Sequence, residues 1–314
     1  MELRPHPLTL RQLQYAVAVA DTRNFHRAAE RCRVAQPSLS AQLAQLEEAL
    51  GVRLFERTAR GVLLTAAGEE LVGRARKLLL AADDLVDAAQ RLGDPLAGTL
   101  RLGVIPTISP YLLPDAVPAL RRKHPRLSLI WTEDRTEALV RGLESGTLDG
   151  AVLALEAEIG ELQHEVIARD PFLLAAPRGH ALAQGGRARR DELDGVPMLL
   201  LDDGHCFRDQ TLAFCAPAGA LELGFRATSL ATLTQMVASG NGVTLLPALA
   251  APAECRRAKL VLRSFASPEP FRTIALVWRP SSPLVPALRS VASTMREAYP
   301  QMSGAPGGRR RASV

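Results

Sequence analysis

No run of eighteen consecutive apolar residues occurs in this 314-residue chain, so no segment is long enough to cross a bilayer as a helix and no membrane partner is expected. The start, Met1-Glu2-Leu3-Arg4-Pro5-His6-Pro7, lacks both the apolar stretch and the small-residue cleavage site of an export signal, which makes the cytoplasm the expected compartment. Cysteine is scarce as well. Four in a chain of this length do not make a disulfide scaffold, and no metal or other cofactor is expected. What remains is an ordinary globular composition, 47% hydrophobic and 23% charged, with room for two or three cores.

The net charge of +5 invites a nucleic-acid reading, but its location matters more than its size. Residues 1–65 hold nine Lys/Arg against six Asp/Glu, and Arg309-Arg310-Arg311 supply another three positive charges. Everything between is close to neutral. Residues 301–314 have the composition of a disordered basic tail.

Apolar residues at helical spacing run through Leu10, Leu13, Val17 and Ala20, and again through Phe25, Ala28, Ala29 and Cys32, with a break at Asp21–Asn24. A third helix is expected from Gln36 to Leu50: Pro37 suits a first turn, Leu39, Leu43, Leu46 and Leu50 form a buried stripe, and Gly51 a natural stop. Its other face carries Gln36, Ser38, Ser40, Gln42 and Gln45. Three short helices with a polar outer face are what a helix-turn-helix requires. Side chains of that kind read base edges, while Arg11, Arg33, Arg57 and Arg60 are placed to hold phosphates. A small bundle with a solvated polar face has the same pattern. Two short apolar runs around Gly61 suggest a hairpin wing. From Thr65 a long helix repeats Leu71, Leu78, Leu85 and Leu92 every seven residues, with Ala75, Ala82 and Ala89 between them, the seam of a dimerisation helix or of one packed on its own chain.

After Thr99 strands and helices alternate: strands near Leu100–Ile105, Leu127–Trp131 and Gly150–Ala154, with helices from Ser109 to Arg122 and from Thr136 to Ser145 between them. This predicts a parallel β-α-β-α-β sheet. Further strands are expected at Phe172–Ala175, Met198–Leu201, Val243–Leu246 and Thr273–Val277, and helices at Leu230–Ala238 and Leu284–Tyr299. Such sheets bind ligands beyond the carboxyl ends of their strands, where Thr107 and Thr136 fall, although either threonine taken alone reads first as a cap or turn residue.

Two of the four cysteines sit nine positions apart in Asp202-Asp203-Gly204-His205-Cys206-Phe207-Arg208-Asp209-Gln210-Thr211-Leu212-Ala213-Phe214-Cys215. Asp203-Gly204 reads as the entry to a short helix, which places Cys206 in a first turn among unpaired N–H groups and cationic neighbours, a setting that favours thiolate. Nine helical steps of about 1.5 Å separate the two Cα atoms by roughly 13 Å, and a disulfide needs about 4.4–6.8 Å. Joining the sulfurs therefore means refolding the segment. A free cysteine is also a small buried hydrophobe, and C-x8-C carries no mechanism by itself, so both readings stand here.

Phe25 to Thr65, with Ala28-Ala29, Val34-Ala35-Gln36-Pro37-Ser38-Leu39-Ser40, Leu54-Phe55-Glu56-Arg57 and Thr65-Ala66-Ala67-Gly68, resembles the DNA-binding half of LysR-type transcriptional regulators. Gly240-Asn241-Gly242-Val243-Thr244-Leu245-Leu246-Pro247 is similar to their effector domain. Ile105-Pro106-Thr107-Ile108, Asp203-Gly204-His205-Cys206, Arg208-Asp209-Gln210 and Phe214-Cys215 resemble that family's hydrogen-peroxide-sensing branch, and the likeness spans about Leu8 to Tyr299. It implies a non-enzymatic regulator: an all-α winged helix-turn-helix over 8–65, a linker and dimerisation helix over 66–93, and over 98–300 an α/β regulatory domain of two Rossmann-like subdomains, as in periplasmic binding proteins. It further implies Cys206 as the peroxidatic and Cys215 as the resolving thiol. Thr107, Thr136, His205, Arg208 and Asp209 would surround hydrogen peroxide, and Arg11, Arg33, Gln36, Pro37, Ser38, Ser40, Gln42, Arg57 and Arg60 would meet double-stranded operator DNA. A homo-oligomer built as a dimer of dimers and contact with RNA polymerase are also implied. Phe207, Ala216-Pro217 and Cys255 depart from the family's usual pattern. A metabolite-responsive regulator of the same architecture and a thiol peroxidase-like enzyme are the rival readings.

Overall fold

The computed structural model describes residues 6–58, 61–91 and 96–300, apart from the side chains of residues 57, 58, 84 and 87–91. Arg60, Leu92 and the tail 301–314 lie outside the described residues, as do the side chains of Arg57 and Ala89. The chain divides into two compact units, one reaching to Leu92 and the other beginning at Gly93.

The first unit has three short helices, α1 (Leu10–Thr22), α2 (Phe25–Cys32) and α3 (Gln36–Leu50), a hairpin of β1 (Phe55–Thr58) and β2 (Gly61–Leu64), and the long helix α4 (Ala66–Arg91). Local chemistry sets each boundary. Thr9 and Gln12 form a reciprocal capping box on α1, the Asn24 carboxamide oxygen accepts from the His26 and Arg27 amides at the start of α2, and Pro37 occupies the first turn of α3. Gly51 closes α3 at φ 70°. Leu39, Leu43 and Leu46 bury the inner stripe of α3 against Leu13, Ala16, Val19, Ala28 and Leu54. The Thr65 hydroxyl accepts from the Gly68 amide at 2.9 Å and donates to the Arg53 carbonyl at 2.6 Å, tying the wing to the start of α4. Gly68 is required there, since a Cβ would collide with the Leu54 carbonyl oxygen.

In the second unit, β3 (Gly98–Val104) pairs in parallel with both β4 (Leu127–Glu133) and β5 (Gly150–Ala154). Helices α5 (Ser109–Lys123) and α6 (Thr136–Ser145) connect them. The sheet is mixed rather than purely parallel, because the late strand β11 (Phe271–Trp278) enters antiparallel between β5 and the 15-residue β6 (Gln163–Pro177). Beyond β6 come β7 (Pro197–Leu201), α7 (Cys206–Cys215), β8 (Leu221–Ala227), α8 (Leu230–Ala238), β9 (Thr244–Pro247), α9 (Ala251–Arg257) and β10 (Leu260–Ser264), with α10 (Val285–Ala298) closing the chain. The large sheet runs β10-β6-β11-β5-β3-β4, with β9 also on β6, while β7 and β8 form a separate parallel pair. Two cores result. One packs α5, α6 and α10 around β3, β5 and β11; the other gathers Phe172, Leu174, Leu199, Phe207, Leu233, Val243 and Phe265. The long β6 contributes to both, so the subdomains share a strand and face each other across a cleft.

Candidate functional site

The cleft has a volume of about 1020 Å³, and its wall includes Thr136, Gly204, Cys206, Asp209, Gln210, Phe172 and Phe214. Helix geometry explains which part of α7 faces it. At about 100° per residue, Asp209 and Gln210 fall on the same side as Cys206, Arg208 on the far side, and Cys215 about 180° around. Cys206, Asp209 and Gln210 line the cleft, whereas Cys215 is buried in the second core. Both cysteines are free. Gly204, at φ 84°, turns the chain into α7 and leaves room for the Arg135 guanidinium, which a Cβ would displace. Arg135 pairs with Asp202 at 3.4 Å, so the turn before Cys206 is tied to the residue that precedes α6.

Burial pushes the Cys206 thiol up. The Thr136 hydroxyl beside it and the Arg272 guanidinium oppose that shift, and Asp209 adds to it. The thiolate bias expected from a first-turn position is therefore not what this geometry produces: loss of water around the sulfur outweighs the helix end and the cations. The Thr136 hydroxyl is buried without a well-formed hydrogen bond, and so is the Gln210 carboxamide. Burial pushes Cys215 to about 12, against the nearby Arg190 charge. His205 is lowered, first by burial, then by Arg135, with Asp202 pulling the other way.

Arg272 is the site residue that sequence reasoning missed. It is fully buried beside an equally buried Asp170, at 2.9 Å, and its Nη1 and Nη2 donate to the Thr107 hydroxyl and carbonyl at 2.7 and 3.0 Å. Thr107 thus enters the site through Arg272. The available signal was an arginine inside the largely apolar strand Phe271–Trp278; a charge in such a strand needs a partner. Arg208, expected around the peroxide, is turned away. It donates to the Leu201 carbonyl at 3.3 Å and pairs with Glu222 at 2.8 Å and Asp203 at 3.0 Å, clamping the start of α7 to β7 and β8. Two residues past Cys206 is the wrong face of a helix.

In the first unit, Gln36, Pro37 and Ser38 are exposed at the start of α3 and Gln42 is half-buried. Ser40 differs: its hydroxyl is buried, toward the groove between α3 and the wing. Arg33 is exposed at the left-handed end of α2, and Arg11 donates to the Tyr15 hydroxyl at 2.9 Å.

Residues 10–69 match the family model of the bacterial regulatory helix-turn-helix proteins of the lysR family, and residues 93–300 match the LysR substrate binding domain. A hydrogen peroxide-inducible genes activator of Pectobacterium carotovorum subsp. carotovorum is 45% identical over 291 residues, 92% of this chain and 96% of its own. Among solved structures, a full-length OxyR variant from Pseudomonas aeruginosa aligns with a TM-score of 0.73 at 36% identity, covering 92% of this chain and 98% of that one. A cysteine-to-serine mutant of Corynebacterium glutamicum OxyR with H2O2 bound aligns with a TM-score of 0.63 at 35% identity, covering 95% of each chain.

Proposed function

Since this chain belongs to the LysR family of bacterial helix-turn-helix transcriptional regulators, we propose that its regulatory unit senses hydrogen peroxide through Cys206 and reports it through a Cys206–Cys215 disulfide. One observation carries the reading: a single helix presents one free thiol to the cleft at its first residue and buries another in the core at its last. The Cys206 thiol attacks one peroxide oxygen, the O–O bond breaks, and the other oxygen leaves as water, turning the thiol into a sulfenic acid. Cys215 then attacks that sulfur, expelling a second water and forming the disulfide. Thr136, Asp209 and Gln210 border the space for the peroxide, and Arg272 supplies positive charge beside the developing thiolate. Closing the bond unwinds α7, and that remodelling is the signal. The similarity to a peroxide-bound relative supports this reading.

The output is a change in how α3 and the wing meet operator DNA, with Gln36, Pro37, Ser38 and Gln42 toward base edges and Arg11 and Arg33 toward phosphates. We assign the chain to a dimer of dimers that contacts RNA polymerase when oxidised, and to regulation rather than catalysis. Leu78 and Leu85 on α4 are 54% and 73% exposed, an apolar seam suited to the same helix of a second copy. A metabolite in the cleft is the second reading, favoured by a volume far larger than one peroxide. Anaerobic thiol counting before and after one equivalent of peroxide separates the two: loss of two thiols per chain supports the sensor, and no loss supports the metabolite. Cys206→Ser should abolish the peroxide response in a reporter assay while the reduced form still binds its operator; an unchanged response would remove the mechanism.

A further inference from the structure

The two ends of α7 are held unequally. At the Cys206 end, the buried Arg208 guanidinium reaches a backbone carbonyl and two carboxylates. At the Cys215 end, where Cys215 sits in the second core and its carbonyl accepts from the Ala220 amide at 3.4 Å, the side-chain hydrogen bond among the described residues comes from one surface arginine. Arg190 Nε donates to the Phe214 carbonyl at 2.7 Å, satisfying one of the acceptors that every helix leaves unpaired in its last turn. The same guanidinium lies 5.2 Å from the Phe214 ring centroid, and that ring meets Phe265 edge-on at 5.0 Å. An exposed single bond with a cation over a ring holds less firmly than a buried, multiply paired guanidinium. The strand-side end therefore stays and the Cys215 end yields.

We propose that Arg190 is the catch that retains Cys215 in its helical, buried place, so that its grip on Phe214 sets how fast the resolving thiol reaches an oxidised Cys206. This rests on the peroxide reading above. Arg190 hydrogen-bonds to neither sulfur, and although its charge lies near Cys215, it acts here through Phe214 as a positioning residue. The first step, Cys206–SH with HOOH giving Cys206–SOH and water, does not involve it. The second, Cys206–SOH with HS–Cys215 giving the disulfide and water, waits on the release of Phe214.

Reduced full-length protein is mixed with one equivalent of hydrogen peroxide, quenched with a thiol alkylator at successive times, and the peptides bearing Cys206 and Cys215 are weighed. Arg190→Ala should leave sulfenic acid formation at the wild-type rate and close the disulfide about five-fold faster. Arg190→Lys keeps the positive charge near Cys215 but lacks the planar fork, and should also close faster. Wild-type closure rates in Arg190→Ala overturn the catch, and so does a wild-type rate in Arg190→Lys alone, because the fork's bond to the Phe214 carbonyl is then not what holds this end. Loss of the positive charge near Cys215 leaves less thiolate and would slow closure, not speed it. If wild-type protein forms no sulfenic acid at all, the peroxide reading itself fails. Amide hydrogen exchange in reduced protein tests the catch independently of peroxide: the last turn of α7 should exchange faster in Arg190→Ala, and unchanged protection would overturn it.

Discussion

Arg272 and Asp170 each bury a full charge, and each is tolerable only because the other is present. Arg272→Met should cost about 3–5 kcal/mol by stranding the carboxylate, read as a fall in the urea midpoint; a loss below about 1 kcal/mol would mean that water reaches Asp170. His124 tests pH in the same unit. Its Nε2 lies 3.0 Å from the Thr294 hydroxyl, and its pKa is lowered from 6.5, first by burial and then by Lys123. As pH falls, the unfolded chain takes up this proton before the folded one, so the stabilisation present above 6.5 is lost on acidification through the folded pKa. Urea midpoints between about pH 7.5 and 5.5 should fall more steeply for wild type than for His124→Gln; parallel curves would refute the assignment. At this scale the sequence is a poor guide to direction. Arg208 and Asp209 are neighbours in the chain, yet one clamps β8 and the other lines the cleft. Arg272 is 66 positions from Cys206, and only the fold brings its charge to the thiol.

Elements were more legible, wherever one face is buried and the ends carry their own caps. Pro37, the leucine stripe and Gly51 define α3, and Cys206–Cys215 is helical as expected, although Asp203 does not cap it: His205 stands at the N-cap without a side-chain bond, and the Asp203 carboxylate pairs with Arg208 and Arg226. Strand β8 was missed because it pairs only with β7 and buries little besides Ala227, leaving no alternation to detect. The first half of β6 was missed for a similar reason: its burial alternates only weakly before Asp170. Gly68 belongs here too. In a helix interior Gly→Ala ordinarily stabilises by up to about 1 kcal/mol, but Gly68→Ala would drive a methyl into the Leu54 carbonyl. We expect a net loss of about 1–3 kcal/mol and weakened operator binding, measured by thermal melting and gel shift; a stabilised variant would show that the wing can retreat.

For the whole molecule, the division into a DNA-reading unit and an α/β regulatory unit follows from the change in hydrophobic period after the long helix, and the heptad spacing of Leu78 and Leu85, both exposed, is the basis for the self-association proposed above. Leu78→Glu with Leu85→Glu should lower the sedimentation coefficient at micromolar concentration and weaken operator affinity at least ten-fold, roughly the loss of one apolar side-chain burial; an unchanged oligomer would place the contact elsewhere. The mixed order of the large sheet was not legible, because β11 joins β5 and β6 only after some hundred intervening residues. Under the proposed disulfide mechanism, the position of the two cysteines on opposite flanks of α7 has a consequence for how a cell counts oxidant. A half-turned rod brings the sulfurs no useful distance closer, so each molecule is either latched or not. A population then registers dose as the fraction that has flipped, never as a graded bend in every copy.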